Sequence, residues 1–292
     1  VKSNGRVRRR AFGLRAGLPA AAVAVMGLVA CSQLSEGPPT DIALSAATDT
    51  TVRVSWTPPA GAVPDSYVLA FSETGTSDWV GFGAVPDTVT RADHNPLGRT
   101  GRYRVSAVFR DREYPATEAP TSAPVHADVM AVGELNSPSY SAYGWERDSG
   151  GGSVFTMRYA SNADRVDFYV TDWASGFGGP DYAMASPDWG PYEPGGAGFV
   201  PVGAWRATWF SSPPAGEQAP LPPLRSGGYA NQMPLSADST LVAVCTDMTT
   251  GTLLGPDRYY ALVRLGHPDV ASGTVQIETW FQRIRGLRLI QH

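Results

Sequence analysis

The feature that most constrains this chain is a period-two alternation of apolar and polar residues, repeated in short runs that glycine and proline cut off. Val52-Arg53-Val54-Ser55-Trp56 points Val52, Val54 and Trp56 to one face, and Pro58, Pro59 and Gly61 end it. Tyr67 to Phe71 alternates in the same way. Tyr103 to Phe109 is the cleanest run, with Tyr103, Val105, Ala107 and Phe109 inward and Arg104 outward. No run shows a helical period. With 32 glycines and 25 prolines among 292 residues, turns must be frequent, which favours short strands over long helices. The pattern therefore predicts an all-β protein, and the length leaves room for about two domains.

The first domain is predicted over residues 38–127 as a β-sandwich. Its seven short strands lie at Ile42–Ser45, Val52–Trp56, Tyr67–Phe71, Trp79–Phe82, Asp87–Arg91, Tyr103–Phe109 and Ser122–His126. Arg110-Asp111-Arg112 reads as the last hairpin loop. Pro38-Pro39, Val-Ser-Trp at 54–56 followed by Pro58-Pro59, Tyr67, and Leu97 six residues before Tyr103 together resemble a fibronectin type III domain. The resemblance implies that Trp56 is the core tryptophan. It also implies that Leu97 and Tyr103 form a tyrosine corner whose phenol bonds back to the chain. Arg99 departs from it, standing where a proline is common. A spacer or a protein- or glycan-contacting module is implied, without catalysis. The domain is expected to fold alone.

The second domain, residues 128–292, reads as a second β-sandwich or partly open barrel and resembles no family. Val154–Tyr159 and Arg165–Thr171 are expected to pair as a hairpin. Leu241–Thr246 follows, then a final pair, Tyr259–Leu265 and Gly273–Phe281, with Leu287–Ile290 as one more strand. Between them, from Asp172 to Pro223, the chain reads as a long loop rich in glycine, proline and aromatics. Disordered segments are poor in aromatics, so this one is expected to fold onto the domain or dock to a partner. Core packing, a protein interface and a platform for sugar rings are the three readings of its rings. Trp173, Phe177, Tyr182, Trp189 and Tyr192 are the candidate contact residues.

The amino-terminal segment reads as an export signal. Lys2, Arg6, Arg8, Arg9, Arg10 and Arg15 precede an apolar run from Leu18 to Ala30, which is shorter than the roughly 20 residues of a spanning helix. The quartet Leu28-Val29-Ala30-Cys31 resembles a bacterial lipobox. That resemblance implies a signal peptide over 1–30, a lipid on the Cys31 thiol and a linker over 31–37. Ser32 at the second mature position is similar to the pattern for delivery to the outer membrane. The protein is thus expected in the bacterial cell envelope, lipid-anchored on the periplasmic or outer-membrane face.

Charge narrows the partners. The net charge is −4, and without the six basic residues before Cys31 the remainder has 17 basic against 27 acidic residues, a net −10. Nucleic acid needs a basic footprint and is excluded. Lys2 is the only lysine, so the mature chain has no Schiff-base chemistry. Cys245 lies in an apolar strand-like run and reads as a buried thiol. His94, His126, His267 and His292 lack ligand spacing, and Asp164, Asp167, Asp172, Asp181 and Asp188 lack the alternation of a calcium loop, so they read as solvated acids. No nucleophile, phosphate-loop or haem motif is present. No catalytic residue, cofactor or metal is predicted. The expected function is a non-enzymatic protein-binding scaffold, for instance an extrinsic accessory subunit of a respiratory or photosynthetic membrane complex. A glycan-binding surface lipoprotein is the alternative, and a hydrolase with an unrecognised acid pair the third.

Overall fold

A computed structural model describes residues 35–291 except 136, 138, 172–181, 189–204, 215–218, 224–227, 236–239 and 249–257. The signal segment and Cys31 lie outside the described residues. No helix among the described residues is long and apolar enough to cross a membrane.

The described chain is all-β. In the first sandwich, β1 (Thr40–Thr48), β2 (Thr51–Thr57) and β5 (Arg91–His94) form one sheet in the order β1-β2-β5. The other sheet has the order β4-β3-β6-β7, from β3 (Ser66–Glu73), β4 (Val80–Pro86), β6 (Gly101–Phe109) and β7 (Arg112–Pro115). All pairings are antiparallel. The alternation has its expected result: Val52, Val54 and Trp56 meet Tyr67, Leu69, Tyr103, Val105 and Ala107 in one core. This is the fibronectin type III-like sandwich that the resemblance implied, and Trp56 is its buried tryptophan, edge-on to Tyr67.

Three details of the first sandwich depart from expectation. The strand expected at Asp87–Arg91 is displaced, since 87–88 turn and the strand is β5 from Arg91 to His94. Leu97 does not enter the core: it is 82% exposed, with a left-handed φ of 55°. Pro96 is buried in its place, and the Tyr103 hydroxyl meets His94 Nδ1 at 3.2 Å. The corner is therefore tied through a side chain. The final strand is β7, immediately after the 110–111 turn. The Ser122–His126 run does not close this sandwich. Residues 120–122 only bridge the start of β6, through Pro120 with Tyr103, Thr121 with Arg102 and Ser122 with Gly101, and from Val125 the chain joins the second sheet system as β8 (Val125–Gly133).

The second body has two five-stranded sheets. One is β10-β9-β11-β12-β14, from β9 (Ala142–Trp145), β10 (Gly152–Phe155), β11 (Phe168–Thr171), β12 (Ala183–Ala185) and β14 (Gln232–Pro234). The other is β13-β15-β16-β17-β8, from β13 (Ala207–Ser211), β15 (Thr240–Met248), β16 (Tyr259–Leu265) and β17 (Thr274–Gln282). The expected final pair is present as β16 and β17. The expected hairpin of 154–159 with 165–171 is not, because β9 lies between those runs and pairs with both. Phe210 and Ala230 exchange backbone bonds of 2.7 and 2.8 Å, an isolated bridge that links the two sheets, whose inner faces share one core.

Val242 and Val244 face the space between the sheets, whereas Ala243 and Cys245 face an outer cluster with Leu221, Tyr260 and Ile290. Both faces of β15 are therefore dry, which is why its sequence is continuously apolar instead of alternating. Cys245 is buried, as expected.

Candidate interaction site

The chain after β17 decides how the two bodies meet. Residues 283–291 form no strand. Instead Leu287 and Leu289, both fully buried, complete the core of the first sandwich, while Ile290 packs on the second. Gln282 Nε2 donates to the Ser122 carbonyl (2.9 Å) and the Leu289 carbonyl (2.8 Å). Arg288 donates from its backbone to Asp49 O (2.8 Å) and from Nε to Asp49 Oδ2 (2.9 Å), and its guanidinium also donates to the Leu221 carbonyl. Gln291 Oε1 accepts from Thr100 N and Oγ1 at 3.2 and 3.3 Å. A shared apolar core and part-buried charge-assisted bonds join the two bodies.

A groove of about 500 Å³ opens beside this junction, lined by Leu44, Ser45 and Ala46 of β1, by residues 119–121, and by Arg283, Ile284 and Arg285. Successive strand residues point to opposite faces. A hollow touching three in a row therefore meets β1 from its edge. The sequence did not single out these residues. Its one signal was the interleaving of Arg283, Arg285 and Arg288 with Ile284, Leu287 and Leu289, apolar residues set among charges just after a strand.

The expected aromatic contact surface is placed only in part. Trp173, Phe177, Trp189 and Tyr192 lie outside the described residues. Tyr182 is 4% exposed and belongs to the core between the sheets, beside Met184 and Phe168, so it is not a surface residue. Nor is the 172–223 segment simply a loop: it supplies β12 and β13, and Trp205 packs on the outer face of β9 and β11 with Ala142 and Tyr169. Hydrophobic burial claims these rings before any partner does. The chain leaves β11 after Thr171, which pairs with Ala183, and leaves β12 after Ala185, which pairs with Tyr169.

At the end where β12 finishes lies a buried ionic knot. Asp167, fully buried, is not the solvated acid expected. Its Oδ2 accepts from Trp145 N (2.8 Å) and Arg147 Nη1 (3.1 Å). Its Oδ1 accepts from Arg147 Nη2 (2.5 Å), Thr246 Oγ1 (2.5 Å) and Arg206 Nη1 (3.4 Å). The local backbone permits this approach because residue 144 is glycine; a Cβ there would lie 1.8 Å from the Arg165 carbonyl oxygen. With both oxygens saturated by donors from four residues, Asp167 ties strand ends together and presents nothing to a reactant. Around it, Thr208 Oγ1 donates to Thr246 Oγ1 at 3.0 Å, and Ser186 Oγ accepts from Thr208 N (2.8 Å) while donating to Asp188. Burial pushes the Asp188 carboxyl up, and burial also pushes the neighbouring Tyr143 phenol up to about 12. Among the described residues no group of three or more His, Cys, Asp or Glu is placed to hold a metal ion.

A second hollow, about 350 Å³, opens in the first sandwich over Phe71 and His94. Its rim pairs Arg99 with Glu73 at 3.1 Å and also carries Asp78.

No protein-family model matches the chain, and no curated protein matches it. Solved structures are similar to part of it, among them β-sandwich and fibronectin type III domains. One is a computationally redesigned β-sandwich protein, 22% identical, spanning 30% of this chain and 90% of its own, with a TM-score of 0.26. The fibronectin type III domain of the human collagen α-1(XX) chain is 26% identical over 30% of this chain and 89% of its own, with a TM-score of 0.25. The fifth such domain of Drosophila Lar is 22% identical over 29% of this chain and 91% of its own, also at 0.25.

Proposed function

We propose that this protein is a membrane-anchored envelope lipoprotein that acts as a non-enzymatic protein-binding scaffold, an extrinsic accessory subunit of a larger membrane complex of the respiratory or photosynthetic kind. The observation that carries the scaffold reading is the junction. Leu287 and Leu289 share the first sandwich's core, and Arg288 and Gln282 bond across to it, so two β bodies form one stiff unit. A stiff spacer holds a binding surface at a fixed distance and orientation, which lowers the entropic cost of binding. The anchor reading rests on Leu28-Val29-Ala30-Cys31 behind a basic, then apolar, segment. Two or three acyl chains on Cys31 would hold the chain on a bilayer, at about 0.8 kcal/mol per buried CH₂.

The test is extraction of native membranes in mild detergent followed by native size analysis and mass spectrometry of the amino terminus. The expected result is an acylated Cys31 and co-migration with a larger complex, and Cys31→Ala should abolish processing. Migration as a free monomer overturns the scaffold reading, and retention of that monomer on polysaccharide replaces it with the glycan-binding one. An amino terminus that bears no acyl group overturns the anchor.

A further inference from the structure

We infer that the outer edge of β1, with the groove beside it, is a docking site for an extended acidic segment of a partner protein, which adds as a strand to the β1-β2-β5 sheet. The inference deepens the scaffold reading and rests on it for its biological meaning.

The edge itself is the first observation. Among the described residues β1 ends its sheet, paired with β2 on one side and with no strand on the other. Ile42, Leu44 and Ala46 turn toward the core, and Ala43 and Ser45 turn out. A free edge offers a row of backbone donors and acceptors, and folded proteins usually blunt one with charge or proline. The opposite edge of the same sheet, β5, carries Arg91 and Asp93, and β7 carries Arg112, Glu113 and Pro115. Between Ile42 and Thr48, β1 carries neither charge nor proline. Its register with β2 is regular from Ala43 to Ala46, the stretch that lines the groove.

The groove supplies the second observation. It meets β1 edge-on, and its far wall carries the exposed residues Arg283 and Arg285 with Ile284 between them, Arg283 Nη1 also donating to the Asp148 carbonyl at 3.4 Å and Arg285 lying over the Tyr259 ring, while none of its lining residues is acidic. The chain as a whole is net negative, so this is a local reversal of charge. A strand laid along Leu44–Ala46 would pair its backbone with β1. Alternate side chains would rest on Ile284 and Pro120, and carboxylates would reach the two guanidinium groups. The volume, about 500 Å³, suits a few side chains of an extended segment rather than a globular surface.

The test uses the full chain and three blocked synthetic peptides long enough to pair with β1: alternating valine and glutamate, alternating valine and lysine, and the glutamate peptide N-methylated at every second residue. The glutamate peptide should bind and slow amide exchange at Ala43–Ala47. The lysine peptide and the Arg283→Ser/Arg285→Ser variant should each bind at least about tenfold more weakly, and rising salt should weaken binding. N-methylation should abolish it, because a strand cannot then pair on that side. Equal affinity for the two charge patterns, indifference to N-methylation, or protection elsewhere than β1 overturns the proposal. So does dimerisation through β1 that the peptide fails to compete. A melting temperature for the arginine variant equal to the parent's shows that lost binding is not lost folding. If the variant still co-migrates with the membrane complex while peptide binding fails, the groove is refuted and the scaffold reading stands. Free migration of the parent chain refutes the scaffold without touching the peptide result.

Discussion

Leu289→Ala removes a side chain that follows the last strand of the second body yet is fully buried in the core of the first. Leucine-to-alanine changes in cores cost about 2–5 kcal/mol, more where the surroundings cannot collapse into the space. Here the backbone on one side is a tail that can shift, but Leu289 O accepts a 2.8 Å bond from Gln282 and Arg288 is fixed on Asp49. Partial relaxation therefore puts the expected loss at about 2–3 kcal/mol. Against a typical domain stability of about 5–15 kcal/mol that is a large fraction. The assay is a urea melt of the full chain combined with hydrogen exchange. Exchange should quicken in β2, β3 and β6, the strands around Trp56, Tyr67 and Tyr103. Ile290→Ala, one residue on, should instead quicken β15 and β16, because Ile290 packs with Ala243 and Leu262. Residues 38–127, expected from sequence to fold alone, lack both leucines, and a peptide spanning 284–291 should stabilise that fragment in trans. A loss below about 1 kcal/mol for Leu289→Ala, or exchange that changes only in the second body, would falsify the shared core.

Asp167→Asn should lower stability by about 3 kcal/mol, since removing one partner of a buried pair leaves Arg147 and Arg206 facing a neutral amide; a chemical melt unchanged within error would show that the knot is dispensable. Cys245 should resist thiol reagents until the chain unfolds, because its strand is covered on both faces, and prompt labelling of the folded protein would contradict this. Desolvation lowers the His94 pKa below the ordinary imidazole value of 6.5. Below that value the unfolded chain takes up the proton before the folded one does. Stability should therefore fall as pH drops through about 6.5 and level off once the folded-state pKa is passed. His94→Gln should flatten that slope, and parallel slopes for parent and variant would remove His94 as its cause.

The period-two runs were enough to place most strands and to choose their buried faces, because a half-exposed strand writes its burial into alternate residues. Val52–Trp56 and Tyr103–Phe109 needed no structure to be read, and with the paired prolines and Tyr67 they pointed to the fibronectin-like sandwich. The same logic failed where both faces are dry. In β12 every residue is buried, so alternation disappears and the segment reads as loop, whereas β11, equally buried, is still legible within Arg165–Thr171. It failed again where neighbours are distant in sequence. Alternation says that a strand has an apolar side but not which sheet receives it, so β8 and the Leu287–Ile290 tail were given to the wrong partners. Asp167 looks like any surface acid until the fold brings Arg147, Arg206 and Thr246 around it. The groove between β1 and Arg283–Arg285 likewise joins residues from opposite ends of the chain. Local periodicity fixes what each segment must hide; only the packed tertiary structure decides against what, since that choice depends on shape and charge contributed by segments the local pattern never meets.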